Sequence, residues 1–248
     1  MADPADDVVR LAMWSGPRNI STALMRSWEN RPDSLVADEP LYAHYLALTG
    51  VDHPGRDEVI AAGDTDWRAV VGRLIGPVEP GVRVFYQKQM AHHLTDDMDD
   101  LSWLGALHNV LLIRQPAEVV ASYIKSRATV TPDDLGLRQQ VSMYDAIAAS
   151  GPPPRVIDSA DFLRDPRRYL IALCDEHGLP FEETMLSWPA GPRDTDGVWG
   201  KYWYDAVWKS TGFEPYGARD VDLSGAAADV AAECREPYQR LYEVRWLP

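Results

Sequence analysis

Basic and hydroxyl-bearing residues stand between the first predicted strand and the first predicted helix. The apolar run 8–14 has the length of a buried strand, and helical spacing begins at Ile20. Arg18 lies in the intervening turn, and Ser21 and Thr22 follow on the first helical turn. The first N–H groups of a helix lack partners, and the helix dipole favours negative charge there. The segment therefore predicts an anion site.

A simpler interpretation of the same turn is that Ser15 or Asn19 caps the helix while the Arg18 side chain lies in solvent. The Gly-Lys-Ser/Thr ending of common nucleoside-triphosphate loops is absent, because none of the four lysines follows a glycine-rich turn. This absence weighs against an ordinary ATPase or GTPase.

A second basic residue ends the clearest buried strand of the chain, in the segment 108–116. This residue is Arg114, and Ser122 follows eight positions later in a predicted helix, 117–127. Ligands of a parallel sheet collect outside the carboxyl ends of its strands, so Arg114 and Ser122 are expected to hold one phosphate together. The alternative is that Arg114 only pairs with an acid such as Glu118.

These two stretches resemble the two cofactor motifs of the sulfotransferases that use 3′-phosphoadenosine 5′-phosphosulfate (PAPS). The first family motif is Pro-Lys/Arg-Ser-Gly-Thr-Thr after strand one, and it cradles the 5′-phosphosulfate. Here Asn19-Ile20 replaces the usual Ser-Gly, which leaves the shape of the turn open. The resemblance implies a donor-binding segment made of Gly16, Pro17, Arg18, Asn19, Ile20, Ser21 and Thr22.

The second family motif is an arginine followed eight residues later by a serine, and the two hold the 3′-phosphate. The resemblance gives these roles to Arg114 and Ser122. Near the C-terminus, GPRDTDGVW is similar to the basic loop that closes over the 3′-phosphate, which implies a donor contact from Arg193. Aromatic residues that follow either line the acceptor or adenine pocket or pack as a cluster: Trp199, Trp203 and Tyr204.

Sulfuryl transfer to a hydroxyl needs in-line attack, a base for the acceptor proton, and cations that stabilise charge on the leaving phosphate. Glu39, 21 residues after Arg18, resembles in its placement the glutamate base of tyrosylprotein and heparan-type sulfotransferases. Arg18 is an expected catalytic cation, and Lys88, near the end of the predicted strand 82–90, is expected to bridge donor and acceptor.

A histidine is the alternative base. In the cytosolic small-molecule branch of the family, a Lys-x-His motif follows a strand, but here Met90 stands two residues after Lys88. His92 and His93 come four and five residues after that lysine, so His93 is retained as a candidate and Glu39 is favoured. Without a chemical role, Glu39 is an exposed acid at a helix start and the histidines form a polar turn.

Strands and helices alternate along most of the chain, which predicts an α/β fold with a mostly parallel sheet between two helical layers. The resemblance implies a P-loop NTPase-like sulfotransferase fold in one domain, 1–248, with an aromatic-rich cap at 187–213. The predicted strands are 8–14, 34–40, 82–90, 108–114 and 154–159, and the predicted helices are 20–30, 41–48, 66–75, 117–127, 133–149, 160–177 and 224–243.

The net charge of −14 argues against a general nucleic-acid or anionic-membrane binder, because such partners are held by broad basic surfaces. The first ten residues are acidic, and no stretch approaches 18 apolar residues. Cys174 and Cys234 have no metal-ligand spacing. We expect a cytoplasmic protein.

The sequence thus predicts an enzyme that moves a sulfuryl group from PAPS to a hydroxyl or amine of a small molecule, with 3′,5′-diphosphoadenosine (PAP) as the second product and without a metal. Two alternatives remain: a P-loop kinase for a small molecule, and a non-catalytic binder of adenine nucleotides. Neither the acceptor nor the oligomeric state is predicted.

Overall fold

A parallel sheet in the order β2-β3-β1-β4-β5 confirms the predicted α/β class. The computed structural model describes residues 8–125, 127, 129–217 and 221–248. Residues 1–7, with most of the acidic N-terminus, and Ser126, in the predicted helix 117–127, lie outside the described residues. The strands are β1 (Val9–Ser15), β2 (Ser34–Asp38), β3 (Val84–Met90), β4 (His108–Ile113) and β5 (Arg155–Asp158).

Helices cover both faces of this sheet. Leu11 and Met13 of β1 face one apolar cluster, and Ala12 and Trp14 face the other, so the strand is buried on both sides. Burial on both faces explains why the sequences of these strands are continuous runs of apolar residues. The helices are α1 (Ser21–Glu29), α2 (Tyr42–Thr49), α3 (Arg56–Ala62), α4 (Trp67–Ile75), α5 (Pro116–Tyr123), α6 (Pro132–Leu135), α7 (Leu137–Ser150), α8 (Ser159–Arg164), α9 (Pro166–Glu176), α10 (Gly200–Trp203), α11 (Asp205–Lys209), α12 (Gly225–Glu233) and α13 (Arg235–Glu243).

Two predicted helices are each divided into two. The helix predicted at 133–149 breaks at Gly136, whose φ of 68° lies in the left-handed region that glycine tolerates. The helix predicted at 160–177 breaks at Asp165, whose side chain accepts a hydrogen bond from the Arg168 N–H and caps α9. Pro166, the first residue of α9, has no N–H to continue the preceding helix.

The strand order places a crevice at the carboxyl end of β1. The chain leaves β1 through α1 toward β2 on one side, whereas β4 and β5 lie on the other side. Helix α1 packs on one face of the sheet and α5 packs on the opposite face. Ligands of open α/β sheets bind where the strand order reverses in this way, so the turns after β1 and β4 are the expected walls of a site.

Gly16 sets the path of the turn after β1. A Cβ atom at this position would lie 2.2 Å from the carbonyl oxygen of Leu135, which belongs to the short helix α6. A backbone oxygen cannot rotate away as a side chain does, so only glycine lets these two segments approach so closely. Gly16 therefore acts through packing of the backbone.

We expect Gly16→Ala to lower the free energy of unfolding by about 1–3 kcal/mol, because the added methyl group must displace the Leu135 backbone. Urea unfolding at 25 °C measures this change. The matched control is Gly72→Ala within α4, where an added Cβ meets no atom within 4 Å and is expected to stabilise by about 0.5–1 kcal/mol. Equal stability of Gly16→Ala and the wild-type protein would contradict the close approach.

Candidate active site

A cavity of about 470 Å³ lies at the carboxyl ends of the strands and collects most of the predicted site residues. Two predicted residues are not among those that line it, Gly16 and Arg193. The predicted residues that do line it are Pro17, Arg18, Asn19, Ile20, Ser21, Thr22, Glu39, Lys88, His93, Arg114 and Ser122. Their roles in binding or catalysis stay predictions.

Hydrogen bonds join the turn after β1 to the turn and helix after β4. The Arg18 Nε donates to Ser122 Oγ at 3.1 Å, and the Arg114 Nη1 donates to the Arg18 carbonyl oxygen at 2.7 Å. The two basic residues named by the sequence are therefore neighbours, with the serine beside them.

Arg114 forms the ion pair that the sequence offered as an alternative to an anion site. Its Nε and Nη2 donate to Glu118 Oε2 at 3.0 and 2.9 Å. A guanidinium has five N–H donors, and the contacts with Glu118 and with the Arg18 carbonyl use three. The remaining two are available to a ligand, since Arg114 also lines the cavity. The pair with Glu118 thus orients the guanidinium and leaves two of its five N–H donors for a ligand.

Arg18 carries a charge that no acidic side chain pairs with in the described part of the protein. Burial lowers the pKa of its guanidinium, and the nearby charge of Arg114 lowers it further. Helix α1 has no side-chain cap among the described residues and no acid in its first turn. Two adjacent cations and an open helix N-terminus together favour a bound anion.

Asn19 shapes the turn where the family motif has Ser-Gly. Its Nδ2 donates to the Leu112 carbonyl oxygen at 3.1 Å, and its Oδ1 accepts from the Ile20 N–H at 3.0 Å. The Ile20 N–H is therefore occupied. The N–H groups of Ser21 and Thr22 have no partner among the described residues, and these remain for an anion.

A buried network surrounds Lys88 on the other side of the cavity. The Lys88 Nζ donates to Asp38 Oδ1 at 2.9 Å, to Glu39 Oε1 and to the Tyr204 hydroxyl at 2.7 Å. Asp38 and Lys88 are register partners on the neighbouring strands β2 and β3, which explains why they meet. All three ammonium protons are used, so Lys88 holds Glu39 in place.

Glu39 has a raised pKa because it is buried, and the neighbouring Asp38 charge raises it further. Lys88 opposes both effects but does not cancel them. The hydrogen bond from Lys88 reaches Glu39 Oε1, and the Tyr204 hydroxyl, whose one proton lies toward Asp38, is 3.4 Å from the same oxygen. Oε2 accepts no hydrogen bond from the described residues and is the oxygen free to take a proton.

Backbone strain occurs at two positions of this site. Arg18 and Glu39, with φ of 53° and 42°, are the non-glycine residues that have positive φ in the described ranges. Such conformations cost of order 1–3 kcal/mol each and persist only where the surroundings enforce them. Each residue follows the end of a strand, and a hydrogen bond to its backbone holds it in place. Arg114 Nη1 donates to the Arg18 carbonyl oxygen. The Glu39 N–H donates to the Lys88 carbonyl oxygen at 2.9 Å.

Comparison with known proteins identifies the family. Residues 9–233 match the family model described as a sulfotransferase domain. The chain belongs to the sulfotransferase family. Solved structures agree in fold: the sulfotransferase domain of the Synechococcus PCC 7002 olefin synthase has a TM-score of 0.59 at 17% identity, with 100% of both chains covered. A sulfotransferase from Alicyclobacillus acidocaldarius has a TM-score of 0.53 at 14% identity, covering 100% of this chain and 98% of that chain.

Two curated plant relatives are similar over only part of their length. The branched-chain-amino-acid aminotransferase-like proteins 2 and 1 of Arabidopsis thaliana are each 39% identical, over 201 and 206 residues. The match covers 81% of this chain in both cases, but 35% and 36% of the relatives. The chain spans about a third of these proteins, so their name describes longer molecules.

Histidines of this sulfotransferase-family chain line the same cavity as Glu39. The His93 ring stacks on Tyr42, with centroids 4.8 Å apart and an interplanar angle of 9°. Burial lowers the pKa of His93 well below its ordinary value. His93 is therefore a weaker base than an ordinary imidazole, whereas the pKa of Glu39 moves toward neutrality.

Arg193 joins the cap to α1, and its predicted contact with the donor stays a prediction. Its Nη1 donates to Glu29 Oε2 at 2.7 Å and its Nη2 donates to Asn30 Oδ1 at 3.0 Å. Nearby, Arg26 donates to both carboxylate oxygens of Asp196 at 2.5 and 2.7 Å. The sequence pattern placed a basic residue in the cap correctly but could not show that an acid of α1 pairs with it.

Two residues of the buried network, Asp38 and Tyr204, were not predicted from the sequence to bind Lys88. Asp38 accepts hydrogen bonds from Lys88, from Tyr204 and from the Gly197 N–H at 3.1 Å. Tyr204 and Trp203 line the cavity, while Trp199 packs edge-on against Tyr42 and donates to the Tyr204 hydroxyl at 3.0 Å. The two adjacent acids at the end of β2, Asp38 and Glu39, are the sequence feature that could have indicated a buried partner for Lys88.

Among the residues with described positions, no three His, Cys, Asp or Glu side chains form a group suited to a metal ion. The same residues include no helix that is both long and apolar enough to cross a membrane.

We expect the pH dependence of stability to contain a contribution from His53. Burial, with a smaller effect of Arg127, lowers its pKa to about 4, while the unfolded chain titrates near its ordinary value of about 6.5. Protons then bind the unfolded chain more readily, so stability is lost as the pH falls from 6.5 toward 4. Urea unfolding should show a loss between pH 7 and pH 5 that is smaller by about 1–2 kcal/mol in His53→Phe. An equal loss in both proteins would contradict a neutral buried imidazole.

Proposed function

We propose that the protein is a sulfotransferase that moves a sulfuryl group from PAPS to a hydroxyl, or an amine, of a small molecule. The observation that carries the proposal is the meeting of two cationic residues, an open helix N-terminus and a buried carboxylate of raised pKa in one cavity. Family membership supports the reaction type. The donor and the acceptor class are part of this proposal.

The donor fits the cationic side of the cavity. Arg18 and the N–H groups of Ser21 and Thr22 would hold the 5′-phosphosulfate, and Arg114 with Ser122 would hold the 3′-phosphate. The two free N–H donors of Arg114 and the unpaired charge of Arg18 match a ligand with two anionic groups. The bound donor supplies the sulfuryl group that is transferred.

Glu39 is the proposed base. Its Oε2 takes the proton of the acceptor, and the raised pKa brings the carboxylate closer to the pH at which a base works best. Lys88 is a positioning residue, because it holds Oε1 and thereby leaves Oε2 toward the cavity. Arg18 stabilises negative charge that develops on the donor side.

We propose that the reaction takes place in the cytoplasm. Cys174 and Cys234 are buried free thiols, and unpaired cysteines are typical of reducing compartments.

Donor identity is tested by the affinity for PAP, measured calorimetrically beside AMP and ATP with Mg²⁺. We expect PAP to bind most tightly, and Arg114→Ala to weaken it at least tenfold, because the 3′-phosphate loses its charge-assisted partner. The matched control is Arg138→Ala, an exposed arginine paired with Glu233, with unchanged affinity. Preference for ATP with Mg²⁺ would favour the kinase alternative, and AMP binding as tight as PAP binding would favour a nucleotide binder.

The base assignment is tested by Glu39→Gln, with transfer of ³⁵S from labelled PAPS to a panel of hydroxyl compounds in EDTA. We expect turnover on the best acceptor to fall about 10²- to 10⁴-fold, because no group of suitable pKa takes the proton, while the PAP affinity stays within twofold. Glu58→Gln, which removes an exposed carboxylate bound to Lys201, is the control. If Glu39→Gln keeps full turnover and His93→Phe loses it, the Glu39 assignment is wrong and His93 is the base.

A further inference from the structure

We propose that Asp38 is a positioning residue for the reaction, and that it acts through Lys88 to make Glu39 the carboxylate that takes the proton of the acceptor. The inference rests on the proposed function and names the residue that prepares its base. Lys88 lies between the two acids, and its Nζ donates to Asp38 Oδ1 at 2.9 Å and to Glu39 Oε1. A single buried ammonium group therefore faces two carboxylates, although one carboxylate is enough to balance its charge.

A strained corner brings these two consecutive acids to the same ammonium group. Side chains alternate between the two faces of a strand, so neighbouring residues of a regular strand point apart. Strand β2 ends at Asp38, which is the register partner of Lys88. Glu39 leaves the strand with a φ of 42°, in a region of backbone conformation that is unfavourable for residues other than glycine. This departure from strand geometry lets both carboxylates contact Lys88, which regular alternation disfavours.

The hydrogen bonds of this cluster are divided unequally between the two acids. Asp38 Oδ1 accepts from Lys88, and Asp38 Oδ2 accepts from the Gly197 N–H at 3.1 Å. The Tyr204 hydroxyl lies 2.8 Å from both Asp38 oxygens and donates its proton to this carboxylate. Glu39 accepts from Lys88 at Oε1, while its Oε2 has no donor among the described residues. A proton that enters the cluster therefore has its open place on Glu39 Oε2.

The exposure of the two side chains follows the same division. The Asp38 side chain is 2% exposed, whereas the Glu39 side chain is 12% exposed. Glu39 lines the cavity, and Asp38 is not among the residues that line it. A molecule in the cavity thus contacts Glu39 and is separated from Asp38. Asp38 can act on the reaction only through its neighbours, which is why it is a positioning residue.

The electrostatic effect of Asp38 on Glu39 has a definite sign. Burial raises the pKa of Glu39, the charge of Lys88 lowers it, and the charge of Asp38 raises it. Asp38 also shares the ammonium group of Lys88, so Glu39 is not its sole counter-charge. If Asp38 carried no charge, Lys88 would pair with Glu39 alone. The Glu39 carboxylate would then hold a proton less readily and would be a weaker base.

The other ionisable side chains around Glu39 leave this balance unchanged. Tyr42 at the start of α2 and Tyr204 in the cap are neutral, because burial raises the pKa of both hydroxyl groups. His93, in the segment after β3, is neutral because burial lowers its pKa well below the ordinary value. Arg18 lines the same cavity and forms no ion pair with Glu39 within the part of the chain that the structure describes. The charges that set the state of this carboxylate are therefore the ammonium group and the neighbouring acid.

The test is the variant Asp38→Asn, which keeps the shape of the side chain and removes its charge. The pKa of Glu39 is measured from the ¹³Cδ resonance of glutamate-labelled protein, assigned by its loss in Glu39→Gln. We expect Asp38→Asn to lower this pKa by at least about one pH unit, and the acidic limb of the kcat–pH profile to move down with it. Turnover at the high-pH plateau should fall about three- to tenfold, because a weaker base takes the proton, while the PAP affinity stays within twofold.

Two controls separate the charge of Asp38 from the structure of the network. Tyr204→Phe removes a neutral hydroxyl that binds the same carboxylate. A merely structural role predicts that the pKa of Glu39 falls in this variant too, whereas the proposal predicts no fall. Asp205→Asn removes an exposed acid of the cap that pairs with Lys209, and it should leave the pKa of Glu39 and the turnover unchanged. An unchanged or higher pKa of Glu39 in Asp38→Asn, or an equal fall in Tyr204→Phe, would overturn the role of Asp38.

A measurement on the wild-type protein does not depend on the folding of Asp38→Asn. With ¹³Cγ-labelled aspartate and ¹³Cδ-labelled glutamate, assigned through the backbone, the first proton that the pair takes up on acidification should appear at Glu39. First uptake at Asp38 would contradict the proposal. These titrations need neither donor nor acceptor, so they report on the pair even if no sulfuryl transfer from PAPS is found. Such a lack of transfer would contradict the proposed function alone.

Discussion

The buried ammonium group of Lys88 is the constraint on which the site depends. A charge at 1% exposure is tolerated only when partners satisfy it inside the protein. Those partners come from three places: Asp38 at the end of β2, Glu39 at the following corner, and Tyr204 in the cap. The sheet edge, the proposed base and the cap must therefore assemble together. Removing any one partner would leave one N–H donor of the buried ammonium group without a hydrogen bond.

This requirement links the cap to the residue proposed as the base. The Gly197 N–H and the Tyr204 hydroxyl both bind Asp38, while Arg193 and Asp196 fasten the same segment to α1. Helix α1 also supplies the N-terminus at which the anion is proposed to bind. The proposed donor side and the proposed base side of the cavity are thus held by one set of ion pairs and hydrogen bonds, which fixes their relative geometry before any ligand arrives.

The sequence predicted the parts of this arrangement that depend on local patterns. Continuous apolar runs marked the strands, and residues that directly follow strands, such as Arg18 and Arg114, had to meet at one edge of a parallel sheet. Contacts between distant segments were out of reach: Tyr204 and Asp38 are 166 residues apart. The short helix α3 was also missed, because it buries only Val59 and so lacks an apolar period.

Arg114 shows why a sequence cannot decide between a structural and a chemical role for a charged residue. The sequence left open whether Arg114 pairs with Glu118 or holds a phosphate together with Ser122. The structure contains the ion pair with Glu118, and the phosphate site stays a prediction. Tyr216 donates to the other Glu118 oxygen at 2.9 Å, so the carboxylate is itself held in place. Because the pair uses Nε and Nη2, it restricts rotation of the guanidinium, and with the Arg18 carbonyl it uses three of the five N–H donors. The ion pair is therefore compatible with the proposed anion site, where Glu118 would orient the cation that binds the ligand.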